Sequence, residues 1–352
     1  MLSIIIPTYN EKENIKELAE KIFCIFKQNN IEGEIVVVDD NSPDGTGSVA
    51  EKLKDKYAIE VVHRPRRLGL ASAVTNGFIA ARGDVLCVMD ADLSHPPEAI
   101  PDMFRLIQEE KADFVVGSRY VKGGSSKEWP FIRRFISSLS CSLTRGLTGV
   151  KDATSGYFMI KKEVIKDAVL KPKGFKICLE IIVRGTYKSI CEVPIIFTDR
   201  KHGKSKLGFS ESIKYGVHLI ELYSHKFPLM AQFLKFALVG LIGFFIQMII
   251  LYNLVEILDL YYLYAAVIAF FVAVTSNFLL NRTWTFTPSS NRNIYQQYIS
   301  FVSLCVLGAL LNTFLLFVLV EYAHLWYLNA QCISFVFVGL SNFLFIRSIT
   351  FS

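Results

Sequence analysis

Four long apolar stretches in the C-terminal third of the chain restrict what it can fold into. A helix needs about 20 apolar residues to cross the hydrocarbon core of a bilayer, and each stretch is close to that length. They lie at about 233–256, 263–281, 297–320 and 326–346. Residues 231–352 hold only four basic and three acidic side chains, of 38 and 32 in the whole chain. The sequence therefore predicts a charged N-terminal domain followed by an all-α, four-helix transmembrane domain at 231–352.

Basic residues lie at one end of each predicted transmembrane helix. Lys235, Arg282 and Arg347 fall on one side, whereas the loops 257–262 and 321–325 on the other side contain no Lys or Arg. Because loops rich in Lys and Arg stay in the cytosol, we expect the N-terminal domain and both termini to be cytosolic.

The transmembrane part also contains a weak internal repeat. The run Asn281–Phe286 is echoed near Asn342–Phe351, which indicates two related helical hairpins. Two interpretations of this part stay open: a plain membrane anchor, and a domain that also handles lipid.

Charge and cysteine usage exclude several kinds of function. The net charge is +6 but forms no concentrated basic stripe, so we expect attraction to anionic lipid head groups and no nucleic-acid binding. The seven cysteines include no CxxC pair and are expected to be reduced. A disulfide framework or a zinc site is therefore not expected.

The N-terminal domain alternates apolar runs with segments of helical periodicity. Near-continuous apolar runs such as 35–38 and 85–89 predict strands buried on both faces, as in a mostly parallel, Rossmann-like α/β sheet. The predicted strands are 2–6, 34–39, 59–63, 84–90 and 113–118, and the predicted helices are 11–29, 46–57, 70–82 and 97–110. Ligands of such sheets bind beyond the carboxyl ends of the strands.

Polar residues follow three of these strands, at Pro7–Glu11, Asp39–Thr46 and Asp90–Pro97. Neither a P-loop nor a GxGxxG run is among them, so the pattern is not that of a kinase or a dehydrogenase. Alternate side chains of an extended chain point the same way, so Asp90 and Asp92 are expected to converge on one Mg²⁺ or Mn²⁺ ion. The competing interpretation is that Asp92 or Ser94 caps the helix starting near Pro97.

Together these motifs, with Gly117–Tyr120 and Arg200–Leu207, resemble those of the polyprenyl-phosphate (dolichol-phosphate) mannose synthases. These are family 2 glycosyltransferases with a GT-A fold. The resemblance covers about 1–226, and 231–352 resembles the GtrA-like four-helix membrane domain. It implies a GT-A domain at 1–208, an amphipathic interfacial helix or linker at 209–230, and the plasma membrane of a prokaryote as the location.

The resemblance also implies residue roles. The donor would be bound by Pro7, Tyr9, Glu11, Val38, Asp40, Asp90, Ala91, Asp92, Arg200 and Lys206. The metal would be held by Asp90, Asp92 and Ser94. The acceptor phosphate would meet Arg119, Arg133 and Ser137, and the catalytic residues would be Asp92, Arg119 and Arg133.

Elementary chemistry agrees with these roles. A nucleoside diphosphate leaves readily only when its charge is neutralised, which a divalent cation and basic side chains can do. A lipid phosphate is already anionic, so its attack needs positioning more than a base. Apolar residues recur at helical spacing in 129–147 and again in 209–226, as in helices that lie at a membrane interface. Ordinary core packing of both helices is the competing interpretation.

We therefore expect inverting transfer of mannose from GDP-mannose to a polyprenyl (dolichyl) phosphate at the cytosolic membrane face. Two alternatives remain: a UDP-glucose-dependent glucosyltransferase of the same fold, and a lipid-linked-sugar translocase with a regulatory N-terminal domain. A processive polysaccharide synthase is not expected, because the chain has no Gln/Arg-x-x-Arg-Trp motif.

Overall fold

The computed structural model describes residues 1–126, 131–171, 176–198, 209–286 and 293–351. For 131–133 and 209–211 the description covers the backbone alone. The chain forms two compact units, Met1–Lys226 and Phe227–Ser352. The first is an α/β unit and the second is helical.

The first unit alternates strands and helices along most of its length. Its strands are β1 (Leu2–Thr8), β2 (Gly33–Asp39), β3 (Ile59–His63), β4 (Val85–Val88), β5 (Phe114–Ser118), β6 (Phe158–Lys161) and β7 (Ile190–Pro194). Its helices are α1 (Lys12–Gln28), α2 (Thr46–Leu53), α3 (Leu70–Ala80), α4 (Ile100–Gln108), α5 (Phe131–Leu143), α6 (Ile177–Arg184) and α7 (Phe209–Lys226). Short 3₁₀ turns at Pro97–Ala99 and Lys162–Ile165 precede α4 and follow β6.

The strands form one sheet in the order β3-β2-β1-β4-β6-β5-β7. Only β6 runs antiparallel to its neighbours, β4 and β5. In the parallel part, Thr8 of β1 pairs with Asp39 of β2, and Asp39 pairs with His63 of β3. The carboxyl ends of β1, β2 and β3 are therefore level, and the loops that follow them share one edge of the sheet.

Burial on both faces explains the apolar strands. Ile4, Ile5 and Ile6 are all 0% exposed, so residues pointing to opposite faces of β1 are equally covered. On one face, Leu18 and Ile22 of α1 are fully buried in the main hydrophobic core. This confirms the mostly parallel α/β sheet predicted from the sequence, whereas β6 and β7 were not predicted.

The second unit consists of two helical hairpins. Its helices are α8 (Pro228–Glu256), α9 (Tyr262–Leu280), α10 (Ile294–Glu321) and α11 (Tyr327–Phe345). A π-helical turn follows α9 at Asn281–Thr285, and another follows α11 at Ile346–Thr350. The described residues contain four helices long and apolar enough to cross a membrane, as the sequence predicts.

The two hairpins repeat each other at one constant sequence offset. A Cβ added to Gly243 of α8 would lie 2.3 Å from the Asn277 amide on α9, and one added to Gly308 of α10 would lie 2.3 Å from the Asn342 amide on α11. The rings of Phe286 and Phe351, which follow the two π-turns, stack at 4.9 Å. The weak echo in the sequence therefore corresponds to a structural repeat.

Candidate active site

The loops that follow β1 and β2 are tied together by hydrogen bonds. The Asn10 amide donates to the Ser42 hydroxyl at 3.0 Å, and the Glu11 amide donates to the Thr46 hydroxyl at 2.9 Å. Asn10 and Asn41 have φ of 63° and 57°, a conformation that asparagine tolerates better than most residues. These contacts form a polar edge around Tyr9 and Glu11, two of the residues predicted to bind the donor.

Asp40, also predicted to contact the donor, is engaged by the loop that follows β3. Its Oδ1 accepts from the Leu68 amide at 2.9 Å, and its Oδ2 accepts from the Gly69 amide at 2.9 Å. The Arg64 guanidinium lies 2.9 Å from the same Oδ1. The Asp40 carboxylate, 7% exposed, therefore organises residues 64–69, and its contact with the donor stays a prediction.

Three other residues predicted to bind the nucleotide-sugar donor differ in the exposure of their side chains. Pro7 is partly exposed, whereas Val38 and Ala91 are buried at 0% and 2% exposure. Any contact of Val38 or Ala91 with a nucleotide would therefore come from the backbone.

The two aspartates after β4 lie on a turn. β4 ends at Val88 and the chain turns at Ala91 and Asp92, so the backbone is not extended here as was expected. That both carboxylates bind one cation stays a prediction. Leu93 adopts a φ of 62°, which is uncommon for a branched side chain and tightens the turn. Asp90 keeps a 28% exposed side chain, whereas Asp92 is 4% exposed.

Asp92 and Ser94 are bonded to each other. Asp92 Oδ1 accepts from the Ser94 amide at 3.1 Å and from the Ser94 hydroxyl at 2.5 Å. The 3₁₀ turn that follows has Pro96 at its cap position, and α4 has Ala99 there, so neither Asp92 nor Ser94 caps this helix. The capping interpretation is therefore wrong.

His95 supports the turn from its buried side. Its Nδ1 accepts from the Asp90 amide at 3.0 Å, which leaves the ring proton on Nε2, 3.9 Å from Asp90 Oδ2. The ring stacks on Tyr157 at a centroid distance of 5.1 Å. Burial lowers the pKa of His95 below its ordinary value, against the opposing charges of Asp90 and Asp92. The neutral imidazole therefore acts as a packed support.

The oxygens at this turn suit a hard divalent cation. Mg²⁺ and Mn²⁺ prefer carboxylate, hydroxyl and phosphate oxygens, which Asp90, Asp92, Ser94 and a bound diphosphate could supply. Within the described ranges, no group of three His, Cys, Asp or Glu side chains is placed to hold a metal. A cation bound here would thus depend on oxygens of the donor.

Arg119, which follows β5, is held by a buried ion pair that sequence reasoning missed. Its Nε donates to Asp152 Oδ2 at 2.8 Å, its Nη2 donates to Oδ1 at 2.7 Å, and its amide donates to Oδ2 at 3.0 Å. The side chains of Arg119 and Asp152 are 8% and 0% exposed. Burial disfavours the charge on Arg119, but the hydrogen bonds and charge of Asp152 raise its pKa above the ordinary value. The guanidinium is therefore charged and fixed.

Lys176 is a second cation beside this pair that sequence reasoning did not identify. Its ammonium donates to the Thr154 carbonyl at 3.1 Å. Burial of the ammonium, together with the charge of Arg119, lowers the pKa of Lys176 to about 8. The backbone at Gly156 also passes close to this site: an added Cβ would lie 3.2 Å from His95 Cε1 and 3.4 Å from Asp90 Oδ2.

Helix α5 borders the same site. The Tyr120 hydroxyl donates to the Ser137 hydroxyl at 2.8 Å, and the Arg119 guanidinium lies 5.5 Å from the centre of the Tyr120 ring. Arg119 and Ser137, both predicted to bind the acceptor phosphate, are therefore linked through Tyr120. The backbone of Arg133 lies one turn before Ser137 on α5, and its side chain is outside the described atoms. Arg200 and Lys206 lie outside the described residues.

Helices α5 and α7 are joined by hydrogen bonds and leave apolar side chains exposed. The Tyr215 and Tyr223 hydroxyls of α7 donate to carbonyls of α5, each at 2.8 Å. The exposed apolar side chains are Phe135, Ile136, Leu139 and Leu143 on α5 and Ile213, Val217 and Ile220 on α7. Ordinary core packing therefore does not account for these side chains.

Comparison with known protein families matches both units. The model of glycosyl transferase family 2 matches residues 3–169, and that of the GtrA/DPMS transmembrane domain matches residues 235–351. The N-terminal part therefore belongs to a glycosyltransferase family, and the four apolar helices belong to a membrane protein.

Individual relatives extend this result along the chain. The dolichol-phosphate mannosyltransferase of Pyrococcus furiosus is 38% identical over 342 residues, which cover 95% of each chain. That of Saccharomyces cerevisiae is 38% identical over 64% of this chain and 88% of its own. The crystal structure of Mycobacterium tuberculosis glucosyl-3-phosphoglycerate synthase matches with a TM-score of 0.49 and 18% identity, over 64% of this chain and 81% of that one. The 38% identity to the first relative, over nearly the full length of both chains, shows that this chain belongs to the dolichol-phosphate mannosyltransferase family.

Proposed function

We propose that this chain transfers mannose from GDP-mannose to a polyprenyl (dolichyl) phosphate at the cytosolic face of a membrane, with inversion at the sugar. The observation that carries this proposal is the 38% identity to the Pyrococcus furiosus enzyme over 95% of both chains. The proposed domains are a catalytic domain at 1–208, an interfacial segment at 209–230 and a membrane domain at 231–352.

The donor would lie at the polar edge beyond β1, β2 and β4. Asp90, Asp92 and Ser94 would hold Mg²⁺ or Mn²⁺, which when bound supplies a positive charge to the departing diphosphate. Asp90 has the more exposed carboxylate and is therefore the first that a donor would reach. Pro7, Tyr9 and Glu11 would line the nucleotide, and Arg200 and Lys206 are proposed to bind the diphosphate.

The acceptor phosphate would be held by Arg119, Arg133 and Ser137. Asp152 binds one edge of the Arg119 guanidinium, through Nε and Nη2, and so fixes its orientation before an acceptor arrives. A guanidinium held in a fixed place suits a phosphate, which it can bind through charge-assisted hydrogen bonds. Because the lipid phosphate is anionic at neutral pH, the protein has to position the attacking oxygen and does not have to remove a proton.

Inversion follows from a single displacement. The phosphate oxygen forms a bond to the anomeric carbon while the bond between that carbon and the diphosphate oxygen breaks on the opposite face. The exposed apolar side chains of α5 and α7 would rest in the membrane interface, where a lipid head group is found.

The proposal is tested by transfer in liposomes. The full chain would be incubated with Mn²⁺, a polyprenyl phosphate and labelled GDP-mannose or UDP-glucose, and labelled lipid would be extracted. We expect product from GDP-mannose and a loss of at least about 100-fold in Asp92→Asn, as for other groups that stabilise developing charge. Asp102→Asn, an exposed carboxylate on α4, is the matched control and should retain activity.

Each alternative has its own result in this assay. Product from UDP-glucose alone would mean that the donor is UDP-glucose and not GDP-mannose. An unchanged rate in Asp92→Asn would remove that residue from the site. If neither donor gave product but vesicles moved a preformed lipid-linked sugar across the bilayer, the chain would be a translocase.

A further inference from the structure

The loop between β3 and α3 presents an arginine whose side chain has no assigned role. Residues 64–69 of this loop are anchored on Asp40 through the Arg64 guanidinium and the amides of Leu68 and Gly69. The Arg64 guanidinium also donates to the Gly69 carbonyl at 3.2 Å. Gly69 has a φ of 96°, which glycine adopts without strain. The loop is therefore closed on itself and fixed to the end of β2.

Arg67 is exposed on this anchored loop and lies against Tyr9. The centre of its guanidinium is 4.4 Å from the centre of the Tyr9 ring. In the described part of the chain, the Arg67 side chain makes no hydrogen bond or ion pair. A guanidinium that lies over an aromatic ring is held there by a cation–π interaction, which uses none of its N–H donors, so they can still bind a ligand. Arg67 is thus a preset fork of donors next to a residue predicted to line the nucleotide.

The position of this fork relative to the strands favours a contact with the base. Tyr9 directly follows β1 and Asp40 directly follows β2, and the ends of these strands are level because Thr8 pairs with Asp39. The loop that carries Arg67 is anchored on Asp40 at the end of β2, which lies farther from β4 than the end of β1 does. Asp90 and Asp92, where the diphosphate is proposed to lie, follow β4 on the other side of β1. The part of the donor farthest from the sugar would therefore lie near Tyr9 and Arg67.

We propose that Arg67 determines the nucleotide specificity of the enzyme by binding the edge of guanine. An arginine fork matches the O6 and N7 acceptors of guanine, which form a bidentate pair, and uracil has no equivalent of N7. This inference rests on the proposed function, since it assumes a nucleotide-sugar donor at this edge. It adds the reason why a guanosine diphosphate is bound in preference to a uridine diphosphate.

Nucleotide binding to the full chain tests this inference. Wild type, Arg67→Ala and Arg66→Ala would be titrated with GDP, 7-deaza-GDP and UDP in detergent with Mn²⁺, by isothermal calorimetry. We expect Arg67→Ala to weaken GDP binding roughly 10- to 100-fold, as for loss of one bidentate contact, and to leave UDP binding unchanged. The neighbouring exposed Arg66 is the matched control, and its replacement should leave GDP binding unchanged.

The GDP analogue distinguishes a direct contact between Arg67 and guanine from an effect of the substitution on the loop. 7-Deaza-GDP lacks the N7 acceptor, so wild type should bind it more weakly than GDP, while Arg67→Ala should bind both equally. Equal weakening of GDP and UDP in Arg67→Ala, or no change at all, would overturn the role of Arg67 and leave the proposed function standing. A wild-type chain that binds UDP and not GDP would overturn the proposed donor, and the role of Arg67 with it.

Discussion

Removal of the Asp152 carboxylate tests how the site is held together. Asp152 is fully buried and accepts three hydrogen bonds from Arg119. In Asp152→Leu, the guanidinium of Arg119, 8% exposed, would lose its counter-charge. Breaking a buried ion pair by removing one partner costs about 3–5 kcal/mol. At about 2–4 °C per kcal/mol for a domain of this size, the expected fall in Tm is roughly 10 °C.

Thermal unfolding of the full chain in detergent, followed by circular dichroism, measures this loss. Arg119→Met should lose a similar amount, because it leaves the Asp152 carboxylate buried and unpaired. The double variant Arg119→Met with Asp152→Leu removes both charges and should recover most of the lost stability. Arg105→Ala, which breaks an exposed ion pair on α4, is the control and should change Tm little.

Additive losses of Tm in the double variant would refute this reasoning, because additivity is the behaviour of residues that do not interact. The same proteins can be assayed for sugar transfer. We expect the double variant to be stable but inactive, since the guanidinium is the proposed phosphate ligand. Wild-type transfer by the double variant would remove Arg119 from the acceptor site and leave the stability argument intact.

Further predictions concern the acceptor, the buried lysine and the membrane unit. Tyr120→Phe removes the donor to Ser137 and should raise KM for the lipid phosphate about 2- to 10-fold with little change in kcat; an equal loss in kcat would contradict a role in acceptor binding. The pKa of Lys176 is lowered from 10.5 to about 8, so between pH 8 and pH 10.5 the unfolded chain binds more protons than the folded chain. The free energy of unfolding of wild type, measured relative to Lys176→Met, should therefore rise with pH across that range. A difference that stays constant with pH would contradict the lowered pKa. Gly243→Ala would place its Cβ 2.3 Å from the amide of an asparagine on the facing helix and should lower Tm, whereas Gly240→Ala, with nothing within 4 Å, should not; equal effects would contradict close packing within the hairpin.

Local sequence patterns were sufficient to predict the parallel half of the sheet and the membrane helices. β1 and β2 contain runs of Ile and Val that are buried on both faces, and such runs are visible without knowledge of their neighbours. β6 and β7 were not predicted because they are short and gain their stability from distant partners. Phe158 of β6, for example, pairs with Val88 and Val116. β7 also includes Glu192, whose carboxylate accepts from the Asp152 amide.

The candidate site was predictable where it follows a strand and not where it depends on long-range contacts. Asp90 and Asp92 were proposed from their place after an apolar run, but the turn at Ala91 and the left-handed conformation of Leu93 were not foreseen. Asp152 could not be identified, because its partner lies 33 residues earlier and a lone aspartate carries no local pattern. The bond between Tyr120 and Ser137 likewise depends on how α5 packs.

The two faces of α5 would allow a lipid acceptor and a polar donor to share the proposed site. Its exposed face carries Phe135 and Leu139, at 60% and 50% exposure, which suit the membrane interface. Its other face carries Ser137, bound to Tyr120, and Cys141, whose sulfur lies 3.8 Å from Asp152 Oδ1. Because one helix lies beside the Arg119–Asp152 pair and also carries the proposed membrane surface, a lipid phosphate bound as proposed would lie within reach of a fixed guanidinium. Its long apolar tail would then not have to enter the α/β unit.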